Sequence, residues 1–323
     1  MGGASWSPAG LQGSYLDTIA ETRDGHTLLA AGDALYVSRD GVVWLRVDLP
    51  VTGAAPVAEP ASGGDQHAGH EHGQPAPPNP ITALAVGPAQ VFAGTSQGLF
   101  TSGLDGPLRQ LALPAGGVRG LAVDPADPLV LWVASTSGPV VTPDGGRTWS
   151  RQVAGLARPA SVSAIASVGG EVFVSDTTGV FRWEPAARSW TRTSSQPAVA
   201  ELSPSPSGGA LYASSLDNDL AVLAGGRWTD LGQPAPVHSH HGHVHGQPAA
   251  VTQVDARLYA AGTSDGVSAS ADGGWTWSQL GGGLGATPSW WVALLALATG
   301  LGLAAVGVSA LDQRRRRAGE RGS

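Results

Sequence analysis

Along most of its length the chain alternates short apolar runs with polar breaks rich in Gly, Asp, Ser and Pro. Runs such as "LWVAS" (131–135), "VFVSD" (172–176) and "LYAAG" (258–262) are too short for stable helices. They are bounded by turn residues, which predicts strands. One larger pattern recurs about six times: an apolar strand, a second strand opened by Gly and a hydrophobic residue, then a polar turn before Trp. The clearest copies are 131–153 and 258–280, with weaker ones at 28–47, 91–111, 172–193 and 211–231. Their equivalent apolar positions are Leu35, Leu99, Val140, Val180, Leu220 and Val267, spaced by 64, 41, 40, 40 and 47 residues. Before most copies stands a further strand: "ITALAVGP" (81–88), "VRGLAVDP" (118–125), "VSAIASVG" (162–169) and "VAELSPSP" (199–206).

A period near 40 with about four short strands per unit predicts an all-β propeller. Six complete blades fit within residues 1–281, the preceding strands being innermost around the central channel. The opening "MGGASWS" (1–7) reads like the second half of the motif "DGGRTWS" (144–150). It places Trp6 in the outermost strand of a seventh blade, the rest of which would lie upstream of Met1.

The turn motif itself resembles the Asp-box, the bacterial neuraminidase repeat "S/T-x-D-G-G-x-T-W". Two copies match it fully, one through Thr142, Asp144, Gly145, Thr148 and Trp149, the other through Ser270, Asp272, Gly273, Thr276 and Trp277. A third, Ser38, Asp40, Gly41 and Trp44, matches with one residue deleted. The resemblance implies a propeller in which each box closes the hairpin between the two outer strands of a blade. In that hairpin Asp can accept hydrogen bonds from turn amides and the preceding hydroxyl, Gly takes positive φ, and Trp packs between layers. These residues are expected to be structural, not catalytic.

Composition narrows the setting. The chain has 47 Gly and 24 Pro, no Cys and no Lys, so disulfides and thiolate metal sites are excluded. Residues 1–289 carry 13 Arg against 23 acidic residues, an acidic body with no basic stripe, which argues against a nucleic-acid partner. From Trp290 to Leu311 run 22 residues without a charge, about 33 Å as a helix and enough to cross a bilayer core. Trp290 and Trp291 suit one interface, and the arginines 314–317 suit the cytoplasmic side of the other. The expected plan is a propeller to 281, a linker over 282–289, a single-pass transmembrane helix over 290–311 and a basic cytoplasmic tail over 312–323. The propeller would then lie outside the cell membrane. Residues 1–30 carry no export signal, which together with the half motif points to a start upstream of Met1.

Eight of the nine His fall in two insertions, 56–80 and 234–248, between repeats. The first carries His67, His70 and His72; the second carries His238, His240, His241, His243 and His245. His-x-His in an extended segment puts two imidazoles on one side, a donor set suited to Zn, Cu(II), Ni or Co. Solvated loops without a metal, and a charge change below about pH 6.5, are the alternative readings.

Asp-box propellers include sialidases and other glycoside hydrolases, so the resemblance also raises a cell-surface hydrolase. A sialidase-like site needs three Arg, a Tyr nucleophile aided by Glu, and an Asp acid/base; the family's Phe-Arg-Ile-Pro element is absent here. Tyr36, Tyr212 and Tyr259 fall in repeat strands, where packing accounts for them. Tyr15, Asp17 and Glu21 sit on an expected inner strand, and Asp124 and Glu201 are further carboxylate candidates. Without a matching Arg set these do not form a site. The favoured reading is a membrane-anchored module that binds or scaffolds a protein or glycan ligand at the propeller face.

Overall fold

Each repeat folds as a meander because its apolar runs are one strand long and its turns are short. The computed structural model describes residues 11–50 (except 12, 13, 15, 23 and 24), 79–233 (except 105, 158–160, 195–198, 206 and 216–218), and 239–279 (except 241–242, 245–249, 255–256 and 263–265). Blade 1 comprises β1 (Leu16–Glu21), β2 (Leu28–Gly32), β3 (Leu35–Ser38) and β4 (Leu45–Val47). Blade 2 comprises β5 (Ile81–Val86), β6 (Gln90–Thr95), β7 (Gly98–Gly103) and β8 (Arg109–Leu111). Blade 3 comprises β9 (Val118–Val123), β10 (Leu131–Ser135), β11 (Gly138–Thr142) and β12 (Ser150–Arg151). Blade 4 comprises β13 (Ala164–Val168), β14 (Glu171–Asp176), β15 (Gly179–Glu184) and β16 (Ser189–Ser194). Blade 5 comprises β17 (Val199–Pro204), β18 (Ala210–Ser215), β19 (Leu220–Ala224) and β20 (Arg227–Gly232). Blade 6 follows a short hairpin, β21 (Ser239–His240) with β22 (His243–Val244), and comprises β23 (Ala250–Val254), β24 (Arg257–Gly262), β25 (Gly266–Ser270) and β26 (Ser278–Gln279).

All six four-stranded sheets are antiparallel, with strands paired in sequence order. The first strand of each blade lies beside the first strand of the next, from β1 through β5, β9, β13 and β17 to β23. The second strand of blades 1 to 4 also packs on the following inner strand. The result is the six-bladed propeller that the repeat predicts.

The core lies between facing sheets. Leu29 and Leu35 meet Ile81 and Phe100 between blades 1 and 2. Phe92 and Leu99 meet Leu131 and Val140 between blades 2 and 3. Between blades 3 and 4, Trp132, Trp183 and Trp190 pack with ring centroids 5.2–5.7 Å apart, in tilted and edge-to-face arrangements. Phe173 and Val180 meet Leu202 and Leu211 between blades 4 and 5, and Tyr212 and Leu220 meet Val251 and Leu258 between blades 5 and 6. Fully burying one such aliphatic or phenyl side chain stabilises the fold by about 1.5–3 kcal/mol, so each interface between blades is held mainly by this apolar packing. Close approach also requires glycine: a Cβ on Gly94 would stand 2.3 Å from Val118 Cγ1 in the next blade.

Four inner strands carry a bulge at their second residue. The skipped residues are Asp17, Thr82, Arg119 and Ala200. A bulge bends the strand and re-aims the extra side chain, here at one common end of the ring. The paired β21 and β22 depart from the expectation that 234–248 is wholly loop. In sequence only His241 and Gly242 separate them, and a glycine in a two-residue connection favours tight hairpins.

No helix among the described residues is long and apolar enough to cross a membrane. The segments 290–311 and 312–323, the linker 282–289 and Trp6 lie outside the described residues.

Candidate functional site

The three box turns are built alike. In blade 3 the Thr142 hydroxyl donates to Asp144 Oδ1 at 2.8 Å, and the same oxygen accepts from the amides of Arg147 and Thr148 at 3.0 and 2.8 Å. The Thr148 hydroxyl donates to Asp144 Oδ2 at 2.7 Å, and the Gly146 amide donates to Thr142 Oγ1 at 2.8 Å. Gly145 and Gly146 take φ of 72° and 94°, a region costly for residues with a Cβ. In blade 6 the Ser270 hydroxyl donates to Asp272 Oδ1 at 2.7 Å, and Thr276 donates its amide at 2.9 Å and its hydroxyl, to Oδ2, at 2.6 Å. Gly273 has φ 79°. In blade 1, Ser38 donates to Asp40 Oδ1 at 3.1 Å, and the amides of Val42 and Val43 each reach it at 2.8 Å.

These donors favour the carboxylate. The amide of Thr148 chiefly holds Asp144 at about 2, the Thr276 hydroxyl chiefly holds Asp272 at about 2, and the Val43 amide chiefly lowers Asp40. Trp44, Trp149 and Trp277 are half-buried against the cores of their blades. With their oxygens turned into their own turns, these Asp residues are poor candidates for proton transfer to a substrate.

The inner strands carry a different set. Asp17 stands at the bulge of β1 and Glu201 one residue past the bulge of β17. Burial raises both carboxyls, Glu201 to about 7. Arg119, at the bulge of β9, donates to Ser161 Oγ at 3.1 Å and the Val162 carbonyl at 3.4 Å. Glu21 ends β1, at the far end of the strand from Asp17. Asp124 follows β9, where its Oδ1 accepts from the amides of Ala126 and Asp127 at 2.8 and 3.4 Å. It therefore caps a turn at the end of the ring opposite Asp17. The carboxylates singled out in the sequence thus sit on three blades and at both ends of the channel. Tyr15 lies outside the described residues.

A cluster that the sequence reading missed lies in blade 1. The Tyr36 hydroxyl donates to Asp33, with oxygen separations of 3.1 and 3.2 Å, and Arg46 donates to Asp33 Oδ2 at 2.9 Å and to the Tyr36 oxygen at 2.8 Å. Arg46 also pairs with Asp48 at 2.7 Å. Tyr36 and Arg46 are direct cross-strand partners, a relation that the repeat register could have exposed. Burial raises the Tyr36 phenol, so it is not an activated nucleophile.

Between blades 4 and 5, at the box end of the ring, is a cavity of about 140 Å³ lined by Glu171, Arg182, Thr193, Leu223 and Trp228. Arg182 spans Glu171 at 2.9 Å and Glu184 at 2.7 Å, and the Trp228 indole N–H donates to Thr193 Oγ1 at 3.4 Å. Its polar groups are largely engaged with one another.

No group of three His, Asp or Glu able to hold a metal occurs among the described residues. His67, His70, His72, His238, His241 and His245 lie outside them. For His240 and His243 the backbone is described, and the β21–β22 register pairs them directly across the hairpin. Both insertions join a fourth strand to the next first strand, β4 to β5 and β20 to β23, so both attach at the end of the ring that carries the bulges.

No protein-family model matches the chain. No curated protein matches it in sequence. Its fold, however, is similar to solved structures. A GH74 xyloglucanase from Xanthomonas campestris shares 19% identity over 85% of this chain and 46% of its own, with a TM-score of 0.59. A GH74 enzyme from Niastella koreensis shares 14% over 87% of this chain and 50% of its own, TM-score 0.61. YCF48 bound to D1 peptide shares 16% over 83% of this chain and 81% of its own, TM-score 0.53. The chain spans about half the length of the two GH74 enzymes. At these identities the likeness shows the β-propeller fold alone, on which hydrolases and binding proteins both occur.

Proposed function

We propose that this chain is an Asp-box propeller that binds or scaffolds a partner outside the cell, held to the membrane by a helix over 290–311. The observation that carries the reading is the engagement of most candidate carboxylates in turns of their own. Asp40, Asp144 and Asp272 are tied into turns and Asp124 caps another, which leaves Asp17 and Glu201, on blades 1 and 5 at the bulged end, each shifted by burial. Two-carboxylate hydrolysis needs an acid and a partner about 5–10 Å apart across one bond. The similarity to YCF48 bound to D1 peptide, over most of both chains, is compatible with peptide recognition on this fold. The GH74 likeness supports a second reading, a surface glycoside hydrolase, in which Asp17 or Glu201 would be the acid.

The His tracts extend the first reading to capture of a transition metal, Zn, Cu(II), Ni or Co. In support, His240 and His243 are opposed in the hairpin register. The test has two arms. Full-length protein is offered β-glucan and sialoside substrates beside Asp17→Asn and Glu201→Gln variants; turnover that either substitution abolishes would establish the hydrolase. Metal titration is then run beside a twin with the eight tract His changed to Ser. Stoichiometric submicromolar binding lost in the twin supports metal capture, and weak unselective binding in both removes it.

A further inference from the structure

Among the described residues, the exposed large hydrophobics are Val42 (68%), Val43 (71%), Leu45 (52%), Leu129 (49%) and Trp275 (72%). They come from blades 1, 3 and 6, yet all lie at one end of the ring. The strands of a blade alternate in direction, so its first-to-second and third-to-fourth turns share an end, and the blades repeat this path around the axis. Val42, Val43 and Leu45 belong to the β3–β4 turn and the start of β4, Trp275 to the β25–β26 turn, and Leu129 to the β9–β10 turn. In blade 3 the Gly145 amide donates to the Leu129 carbonyl at 2.9 Å, joining the two kinds of turn directly. The turns at the other end present Asp33, Ser96 and Gln97, Thr136 and Ser137, and Thr177 and Thr178.

Among the described residues, exposed large hydrophobics therefore occur at one end of the ring alone, interspersed there with the exposed charges of Arg39, Asp40, Asp127, Arg147 and Asp272. The apolar tips are also stiff, since Asp40 fixes the amides of Val42 and Val43, and Asp272 fixes Thr276 beside Trp275. Tips on separate blades form no single groove for a protein side chain. They suit a flat apolar phase, entered at several points, where Trp favours the interface. The chain beyond the described residues says which phase. Ten residues, 280–289, join Gln279 to the uncharged run that starts at Trp290. Extended, they reach about 33–36 Å, whereas a six-residue strand is about 20 Å tall. Gln279 stands on a fourth strand, which runs from the apolar end toward the bulged end. The linker is long enough to turn back along the ring and start the run beneath the apolar end.

We propose that the end bearing Val42, Val43, Leu45, Leu129 and Trp275 rests on the phospholipid surface, its tips entering the headgroup boundary. This rests on the membrane-anchored reading above. It orients the ring, with the polar turns, the bulged ends of the inner strands and both His insertions facing away from the bilayer.

The chain has no Cys, so single labels are direct to place. Full-length Val43→Cys, Gln97→Cys and Ser137→Cys, each carrying a nitroxide, are reconstituted in palmitoyl-oleoyl phosphatidylcholine vesicles. Docking gives the label at 43 more collisions with oxygen and fewer with an aqueous nickel chelate than the labels at 97 and 137. Adding Trp275→Ser reduces that difference. Three labels equally open to the nickel chelate, in protein that resists a carbonate wash, overturn docking and leave the anchor standing. A label at 43 shielded from both reagents means a protein contact there and also overturns docking. Protein that washes off the vesicles overturns the anchored reading and docking with it.

Discussion

Glu201 is the side chain whose ionisation should be felt most in the stability of this propeller. It lies on β17, which packs against β13, β14, β18 and β23. The charged residues on those strands are Glu171 and Asp176, both acidic, so none offers a counter-charge. Burial raises its carboxyl from 4.5 to about 7. A raised carboxyl means the folded protein holds the proton more tightly than the unfolded chain. Its contribution is therefore complete below about pH 4.5 and is lost as pH climbs through about 7. Moving a carboxyl from 4.5 to about 7 is worth about 3 kcal/mol. The side chain is half-buried, so solvent screens this to about 2 kcal/mol.

Glu201→Gln keeps the shape and removes the charge. Urea unfolding followed by Trp fluorescence from about pH 4.5 to about 8 should show the wild type losing about 2 kcal/mol relative to the variant across that interval, with the variant the more stable at the alkaline end. Parallel curves would refute the argument. A variant less stable than wild type at the alkaline end would refute it more sharply, because the ionised carboxylate would then have a cationic partner.

Other outcomes follow from packing and from the turns. Gly94→Ala drives a Cβ to 2.3 Å from Val118 Cγ1 and should cost about 1–3 kcal/mol by overpacking, read by the same unfolding assay. Phe173→Ala, at a residue 1% exposed between blades 4 and 5, should cost about 3–5 kcal/mol. Thr142→Val keeps the volume but strips the fully buried hydroxyl that serves Asp144 and the Gly146 amide; a loss of about 1–3 kcal/mol is expected. Asp144 and Asp272 are held at about 2, so their contribution is complete above about pH 4 and disappears as pH falls through about 2. Asp144→Asn should flatten the acid limb of a thermal-stability profile, and an unchanged limb would count against the hydrogen-bonded turn.

The strands and box turns were legible in the chain because their causes are local. A run of β-branched residues ended by Gly and Asp makes a strand and a turn wherever it stands, and the spacing of Thr142, Asp144 and Gly146 already contains the hydrogen bonds that form. The number of blades follows by counting, since each repeat buries its faces only against its neighbours. What tertiary structure decided depends on residues far apart in sequence. The bulges fall at Asp17, Thr82, Arg119 and Ala200, four residue types with no common propensity, at the same place in the pairing of each of these first strands with its second. Tyr36 meets Arg46 and Asp33 only once β3 and β4 are in register. Glu201 reads as an ordinary acidic residue until four strands close around it and exclude most of its water. The apolar tips of Val43, Leu129 and Trp275, up to 232 positions apart in the chain, share an end of the ring only because every blade runs the same way.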